Sequence, residues 1–209
     1  MRRANEQLRY DRRDEILAAA QRCFVRSGFH GASMQDICAE AGMSPGNLYR
    51  YFPSKEALVA GIAERDRAEM AQEFASADLS RGFFAVLEGM ARHHFAKKPT
   101  EQVLLCTEVM AEARRNPEIA RICAAVDVDV KKWLGGLLRA GIEHGDIPAD
   151  VDIAGATTML MIIADGVWWR RALDPNFDPA SMVSMFMDMT RHMLRAKPVS
   201  VRDNEEQPR

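Results

Sequence analysis

Apolar residues recur at every third or fourth position along most of the chain, and no stretch alternates steadily between apolar and polar residues. The first spacing is typical of amphipathic α-helices and the second of half-buried strands. We therefore expect an all-α protein. Its first helix is predicted to run from near Asp11 to Gly28, a glycine that suits the position just past a helix end.

The next helix is predicted to be short. Ser33 is its N-cap, and Asp36 completes a capping pair in which each side chain accepts a hydrogen bond from the other residue's backbone. Gly42 ends this second helix after about nine residues.

A third short helix follows at once. Ser44 is a good N-cap, and Pro45 suits the first helical position because no amide donor is needed there. Met43 and Leu48 occupy the positions of a hydrophobic staple, which fixes the angle at which the chain enters the helix. Leu48 and Phe52 lie four residues apart and share the inward face. A helix of two turns is too short to be stable alone, so the first two helices must support it.

The rest of the chain predicts six longer helices. Ser54 caps the first of them, KEALVAGIAERDRAEMAQEF, and the others are expected at about 80–96, 101–115, 117–144, 150–173 and 179–196, separated by proline and glycine. The predicted organisation is a three-helix unit over residues 1–55, a bundle over 56–196 and a disordered polar tail over 197–209.

Positive charge is concentrated at the amino terminus, although the whole chain has a net charge of −2. Arg2, Arg3, Arg9, Arg12 and Arg13 lie among the first thirteen residues with only two acidic residues. On charge alone we favour a solvated, frayed terminus over a nucleic-acid contact.

The four cysteines are far apart, and none stands in a CxxC or Cys/His spacing. We therefore expect free thiols in a reducing cytoplasm, with no metal site and no cofactor. The longest uncharged apolar run, Ile153 to Ala164, is too short to span a bilayer, so no membrane partner is expected.

The second and third helices are joined by a tight turn at Gly42, which is the layout of a helix-turn-helix. In that motif the second helix enters the major groove of DNA with its N-terminal residues first. Gly46 allows close approach there, and Asn47 can donate to and accept from base edges. Tyr49, Arg50 and Tyr51 lie off the inward face and suit phosphate contacts, and Arg50 can also read guanine. Tyr51 is three residues from Leu48, so its position is also compatible with the core. Spacing alone leaves open a helical hairpin in another kind of bundle.

The run from Ser33 to Leu58, SMQDICAEAGMSPGNLYRYFPSKEAL, resembles the DNA-binding signature of the TetR family of bacterial transcriptional repressors. Cys38 replaces a usual alanine, which affects packing and leaves the DNA surface intact. Arg50 occupies a position that varies in the family, so base reading by Arg50 is a hypothesis, and with this resemblance a DNA-contacting N-terminal arm is an equal alternative to a frayed terminus. The resemblance implies double-stranded operator DNA as a partner and a DNA surface formed by Ser33, Ser44, Pro45, Gly46, Asn47, Tyr49, Tyr51 and Lys55.

A two-turn reading helix contacts few base pairs, so specific binding needs two copies. The last helix has two apolar faces, one made of methionines and one containing Val183 and Leu194. The pattern is compatible with a large core in one subunit, whereas the resemblance implies a homodimer through the last two helices. The interface assigned on this basis comprises Ile163, Trp169, Met182, Met185, Phe186, Met189 and Met193.

The middle helices combine bulky apolar residues with few polar groups, as small-molecule sites do, although each residue singly suits an ordinary core. Trp168 and Trp169 point about 100° apart, and the pattern does not decide which one faces a pocket. The segment LLRAGIEHGDIPADVD resembles BetI-like regulators and implies a cationic effector, while the methionine-rich interior fits an apolar one equally. The predicted pocket comprises Met70, Phe74, Phe84, His94, Met110, Trp133, Met161 and Trp168.

The resemblance implies a repressor whose effector shifts the connector from Ser54 to Phe74 and releases the operator. An enzyme is the main alternative class, but the sequence has no nucleophile elbow, phosphate loop, zinc spacing or paired acid–base motif. A protein-interaction adaptor that uses the methionine-rich face is the second alternative. Neither alternative predicts salt-dependent binding to promoter DNA.

Overall fold

The computed structural model describes residues 2–195, with side chains described from Tyr10 to Leu194. The predicted tail and the side chains of Arg2, Arg3 and Arg9 lie outside this description. The predicted all-α class is confirmed, because the described chain forms nine α-helices. They are α1 (Arg2–Gly31), α2 (Met34–Glu40), α3 (Pro45–Tyr51), α4 (Lys55–Ala75), α5 (Phe83–Arg92), α6 (Thr100–Glu112), α7 (Pro117–His144), α8 (Ile153–Leu173) and α9 (Met182–Arg195).

The first helix begins at Arg2, so the predicted start near Asp11 was wrong. The residues between are mainly good helix formers such as Arg, Glu, Gln and Leu, which extend a helix without a cap. Gly28 interrupts the helix at the expected place, with φ 71° and ψ 169°. That conformation is essentially restricted to glycine. A further helical turn then continues to Gly31.

The capping pair predicted for α2 is present. The Ser33 hydroxyl accepts a hydrogen bond from the Asp36 amide at 3.1 Å, and the Asp36 carboxylate accepts one from the Ser33 amide at 2.9 Å. The helix has seven residues, fewer than expected, because Ala41 already forms its C-cap. Gly42 then adopts φ 60° in the turn before α3.

The interior consists of two hydrophobic clusters. The first joins α1, α2 and α3 to the start of α4, and it also takes in Leu105 from α6 and Ile119 from α7. The second packs α5, α7, α8 and α9 around Phe83, Leu138 and Leu160. Because the first cluster includes residues from α4, α6 and α7, packing continues across the division predicted after residue 55.

The corner segment, residues 28–32, ties the N-terminal helices to α4 and α6. The Phe29 amide donates to Glu108 Oε1 at 2.8 Å, and the Phe29 carbonyl accepts from Lys55 Nζ at 2.5 Å. Lys55 Nζ also donates to the Ala32 carbonyl at 2.9 Å. The corner segment is thus held by α6 on one side and by the start of α4 on the other.

Replacing Gly28 with alanine should lower the free energy of unfolding by about 1–3 kcal/mol. The new residue would keep a glycine-specific backbone conformation, and its Cβ would stand 2.9 Å from Glu108 Oε1. Gly31→Ala is the matched control, because its Cβ would lie at an ordinary 3.5 Å from Ser27 Cβ. Urea unfolding measures both variants, and equal losses in the two would contradict this prediction.

Candidate nucleic-acid interface and ligand cavity

The N-terminal half of α3 is presented to solvent. Ser44, Pro45, Gly46 and Asn47 are all exposed. Nothing lies within 4 Å of the place where a Cβ would stand on Gly46. Because Gly46 has no side chain, another molecule can approach the backbone at this end of the helix closely.

Tyr49 and Arg50 continue the same surface along α3. Tyr49 is 51% exposed. Arg50 is exposed and forms no hydrogen bond or ion pair with the side chains or backbone that the structure describes. Its free guanidinium can bind a phosphate or the O6 and N7 atoms of guanine. Tyr51 differs, because it is half-buried against the first cluster.

The opposite face of α3 anchors it. Leu48 is completely buried and Phe52 is 2% exposed. The guanidinium of Arg13, on α1, lies 4.7 Å above the Phe52 ring. The exposed polar side chains are thus carried on a helix whose other side is fixed in the core.

The two capping serines differ in what their hydroxyl groups bind. The Ser33 hydroxyl donates to the Asp36 carboxylate at 2.6 Å and is engaged within the capping pair. Ser44 is the N-cap residue of α3, as predicted, but its side chain accepts no capping hydrogen bond. The reason is that the Asn47 amide, its natural partner, bonds the Ser44 carbonyl at 3.0 Å. The Ser44 hydroxyl remains available to an outside partner.

Lys55 is occupied by the protein itself. Besides its two bonds to corner-segment carbonyls, its ammonium lies 4.6 Å over the Phe29 ring. Two of its three donors are therefore used inside the chain. This arrangement assigns Lys55 to the support of the surface more than to the surface itself.

A cavity of about 340 Å³ lies among α4 to α9. Two of the predicted pocket residues do not line it. Phe84 packs edge-on against Phe83, with ring centroids 5.2 Å apart, and Trp133 stacks on Phe74 at 5.9 Å. Both aromatic rings are engaged with other rings, which the spacing of apolar residues could not show. The predicted residues that do line the cavity are Met70, Phe74, His94, Met110, Met161 and Trp168.

His94 and Trp168 form a stacked pair on the cavity wall, with centroids 4.5 Å apart and an angle of 17° between the rings. The Trp168 Nε1–H also donates to the His94 carbonyl at 3.0 Å, within the π-helical turn His93–Lys97. Burial, and then the charge of Lys98, lower the pKa of His94 to about 4. Its imidazole is therefore neutral at pH 7. Trp168 is the tryptophan that lines the cavity, whereas Trp169 is 51% exposed and does not line it.

The charged groups that line the cavity are mainly acidic. Asp66, Glu73, Asp127 and Asp165 contribute carboxylates, and Lys98 is the one lysine in the lining of the described cavity. Sequence reasoning missed these acids because they are spread over three helices, two on α4 and one each on α7 and α8. The sequence contains one weak indication of an acidic group in the cavity, which is that Asp165 directly follows the uncharged apolar run of residues 153–164.

The charged groups that line the cavity differ in whether they form ion pairs. Glu73 and Asp165 form no ion pair with any side chain between residues 10 and 194, whereas Lys98 lies 3.4 Å from Glu69. Burial, and then the Asp127 carboxylate, raise the pKa of Asp165. Burial likewise raises the pKa of Cys106 to about 12, so this thiol stays protonated and is a poor redox sensor. Two carboxyl groups of the cavity therefore lack a cationic partner among the described residues, whereas its one lysine is paired.

A second apolar surface lies on the outside of the last two helices. Of the predicted interface residues, Phe186 is on the wrong side: it is 6% exposed and lines the cavity, because the helical register turns it about 100° from Met185. Ile163 and Met193 are half-buried against the second cluster, and Met182 is half-buried at the start of α9. The outer apolar face, as we call it, consists of Met159, Ile162, Trp169, Leu173, Met185 and Met189, all at least 47% exposed.

Two protein-family models match this chain. The family model for bacterial regulatory proteins of the tetR family matches residues 16–62, and the model for the C-terminal domain of BetI-type transcriptional repressors matches residues 85–195. The protein belongs to the TetR family. This TetR-family protein is a DNA-binding transcriptional repressor and not an enzyme.

Curated relatives of this TetR-family protein extend over most of the chain. The HTH-type transcriptional regulator UidR of Escherichia coli strain K12 is 30% identical over 166 residues, which span 74% of this chain and 79% of UidR. The HTH-type transcriptional repressor AcnR of Corynebacterium glutamicum is 26% identical over 175 residues, spanning 82% of this chain and 87% of AcnR.

Solved structures show the same TetR-family fold. Salmonella enterica GusR superposes with a TM-score of 0.78 at 30% identity, covering 89% of this chain and 96% of GusR. The fatty acid degradation regulator FadR from Bacillus halodurans shares the fold, with a TM-score of 0.74 at 23% identity over 87% of this chain and 99% of FadR. Members of the family bind operator DNA and small-molecule effectors. None of the helices between residues 2 and 195 has the length and hydropathy to cross a membrane.

Proposed function

We propose that this TetR-family repressor binds a palindromic operator as a homodimer and is released by a small molecule that occupies the cavity. The observation that carries the proposal is the exposed face of α3, where Arg50 has no partner in the described chain while Leu48 on the opposite face is fully buried. Residues 1–55 act as the DNA-reading unit, and residues 56–196 bind the effector and the second subunit. The protein acts in the cytoplasm, where chromosomal DNA is accessible.

The contacts with DNA come mainly from α3. We propose that the Ser44 hydroxyl and the Tyr49 phenol bind phosphates, that Asn47 reads a base edge and that Arg50 reads a guanine. Pro45 and Gly46 let the helix approach the duplex closely. Ser33, Tyr51 and Lys55 sit at the margin of this surface, where they hold α2, α3 and the corner segment in place.

The outer apolar face supports the homodimer. It consists of four exposed apolar residues of α8 and two exposed methionines of α9, and large exposed apolar patches mark interaction surfaces. Pairing this face with its copy about a two-fold axis would give a four-helix interface. Two reading helices related in this way suit two half-sites of a palindrome.

The cavity supports an effector that is apolar or cationic. Its aromatic and methionine side chains suit an apolar body, and the carboxylates of Glu73 and Asp165 lack a cationic partner in the described chain. Of the two chemistries, the free carboxylates favour an organic cation, which would also meet the face of Trp168. Such an effector would release DNA only if it binds the DNA-incompetent state more tightly.

Selection of bound fragments from genomic DNA tests the DNA-binding function. We expect one palindromic sequence, bound with an affinity that falls steeply as salt rises. Arg50→Ala should lose discrimination at one position in each half-site, by roughly 1–3 kcal/mol, because a bidentate guanine contact is removed. Arg26→Ala is the matched control. Arg26 lies on α1 and pairs with Glu40 of α2, so its removal should not change the discrimination between bases. Equal weakening of all sequences by Arg50→Ala would contradict base reading.

Met185→Glu should convert the dimer to a monomer and weaken operator binding, because it places a charge on the outer apolar face. Val128→Glu is the control, since Val128 on α7 is equally exposed, at 63%, but lies outside this face. Sedimentation equilibrium at micromolar concentration compares the two. A dimeric Met185→Glu protein would rule out this interface.

Asp165→Asn should weaken the binding of benzyltrimethylammonium by about tenfold, because the neutral amide cannot balance the cation. Neopentylbenzene, which has the same shape without the charge, should bind both proteins nearly equally. Asp150→Asn removes the same charge from an exposed turn outside the cavity and is the control. Isothermal titration calorimetry supplies the affinities, and tighter binding of 3-phenylpropanoate than of the cation would exclude a cationic effector.

A further inference from the structure

The cavity and the core of the DNA-reading unit share a wall. Val59 and Ile62 of α4 and Leu105 of α6 line the cavity and also belong to the first hydrophobic cluster. Val109 of α6 lines the cavity and packs against the same cluster. A molecule in the cavity therefore touches side chains that pack directly beneath α1, α2 and α3.

A different face of α6 holds the corner segment. Glu108 Oε1 accepts the Phe29 amide at 2.8 Å, and one turn later the Glu112 carboxylate, whose side chain is 5% exposed, lies 2.7 Å from His30 Nε2. Gly28 makes this approach possible, since a Cβ there would stand 2.9 Å from Glu108 Oε1. Glu108 thus joins the helix that forms the shared wall to the segment that follows α1.

The corner segment in turn holds both ends of the helix-turn-helix. Ala32 directly precedes Ser33, the N-cap of α2. Lys55, whose ammonium bonds the corner carbonyls, directly follows Ser54 at the end of the α3 connection. A displacement of Phe29 therefore acts on both ends of the α2–α3 pair at once.

We propose that Glu108 is a positioning residue through which occupancy of the cavity reaches the reading helix. An occupant that pushes on Leu105 and Val109 displaces α6, and the Glu108 carboxylate carries the Phe29 amide with it. The α2–α3 pair then turns relative to the bundle without requiring a shift of the whole connector α4. The consequence for DNA rests on the proposed function, whereas the motion of the corner segment does not.

A test without any ligand fills the cavity by substitution. Cys106→Phe adds a ring on the cavity side of α6 and mimics an occupant. Glu108→Ala removes the link to Phe29, while Glu108→Gln keeps an oxygen that can accept the same amide. Glu101→Ala is the matched control, because Glu101 lies exposed on the first turn of α6 and contacts nothing in the corner segment. Two quantities are measured: affinity for the selected operator, and amide hydrogen exchange of residues 28–32.

Cys106→Phe should weaken operator binding by about tenfold when residue 108 is glutamate or when Glu108→Gln is present. In the Glu108→Ala background, Cys106→Phe should lower the affinity for the operator by less than about twofold. Without the Glu108 side chain, α6 and the corner segment are no longer connected, so a change in the cavity does not reach the corner segment. The Glu101→Ala background should keep the full effect. An equal loss in the Glu108→Ala background and in the protein that keeps Glu108 would overturn the proposal.

Hydrogen exchange separates this proposal from the proposed function. If Cys106→Phe speeds exchange at Ala32 only when Glu108 or its glutamine variant is present, the coupling stands, even if genomic selection finds no operator. If an operator is found and Cys106→Phe leaves the affinity for it unchanged in every background, Glu108 does not couple the cavity to the reading helix, although the repressor function stands. Should Cys106→Phe fail to fold by circular dichroism, Ala164→Leu fills the same cavity from α8 and replaces it in every comparison.

Discussion

The burial of Leu48 and Phe52 is the interaction on which the DNA-reading unit depends. A helix of seven residues does not hold its shape in water, so α3 exists only because these two side chains are fixed in the core. Burying side chains of this size contributes about 1.5–3 kcal/mol each. The polar residues on the other face of α3 are therefore not needed to hold the helix in place, and the side chains of Asn47 and Arg50 can contact an outside partner.

The core that anchors α3 does not stop at the DNA-reading unit. It continues into α4 and α6, where Leu105 and Val59 also face the cavity. One continuous packing unit thus lies between the exposed face of α3 and the cavity. Close-packed interiors transmit displacement because they have few voids to absorb it. The short path through α6 follows from this packing, and it requires no large motion of the bundle.

The features that could be predicted from the sequence are those set by neighbours along the chain. The capping pair of Ser33, the break at Gly28 and the inward face of α3 each depend on residues within one or two turns. The features that were missed depend on residues far away in sequence. Lys55 was expected on the DNA surface, because a pattern of side chains does not show that the carbonyls of residues 29 and 32 accept its hydrogen bonds. Phe84 and Trp133 have the right character for a pocket, and only their neighbours exclude them from it.

Adjacent residues of α9 face in opposite directions, with Phe186 on the cavity and Met185 on the outer apolar face. Trp168 and Trp169 divide in the same way on α8. Substitutions on these helices that would adapt the cavity to a new effector would therefore disturb the surface that we propose pairs the subunits. The lining residues of α5, Leu87, Met90 and Ala91, belong neither to the outer apolar face nor to the first cluster. Changes of effector during the divergence of related repressors should therefore accumulate there, while the lining from α8 and α9 stays comparatively constant.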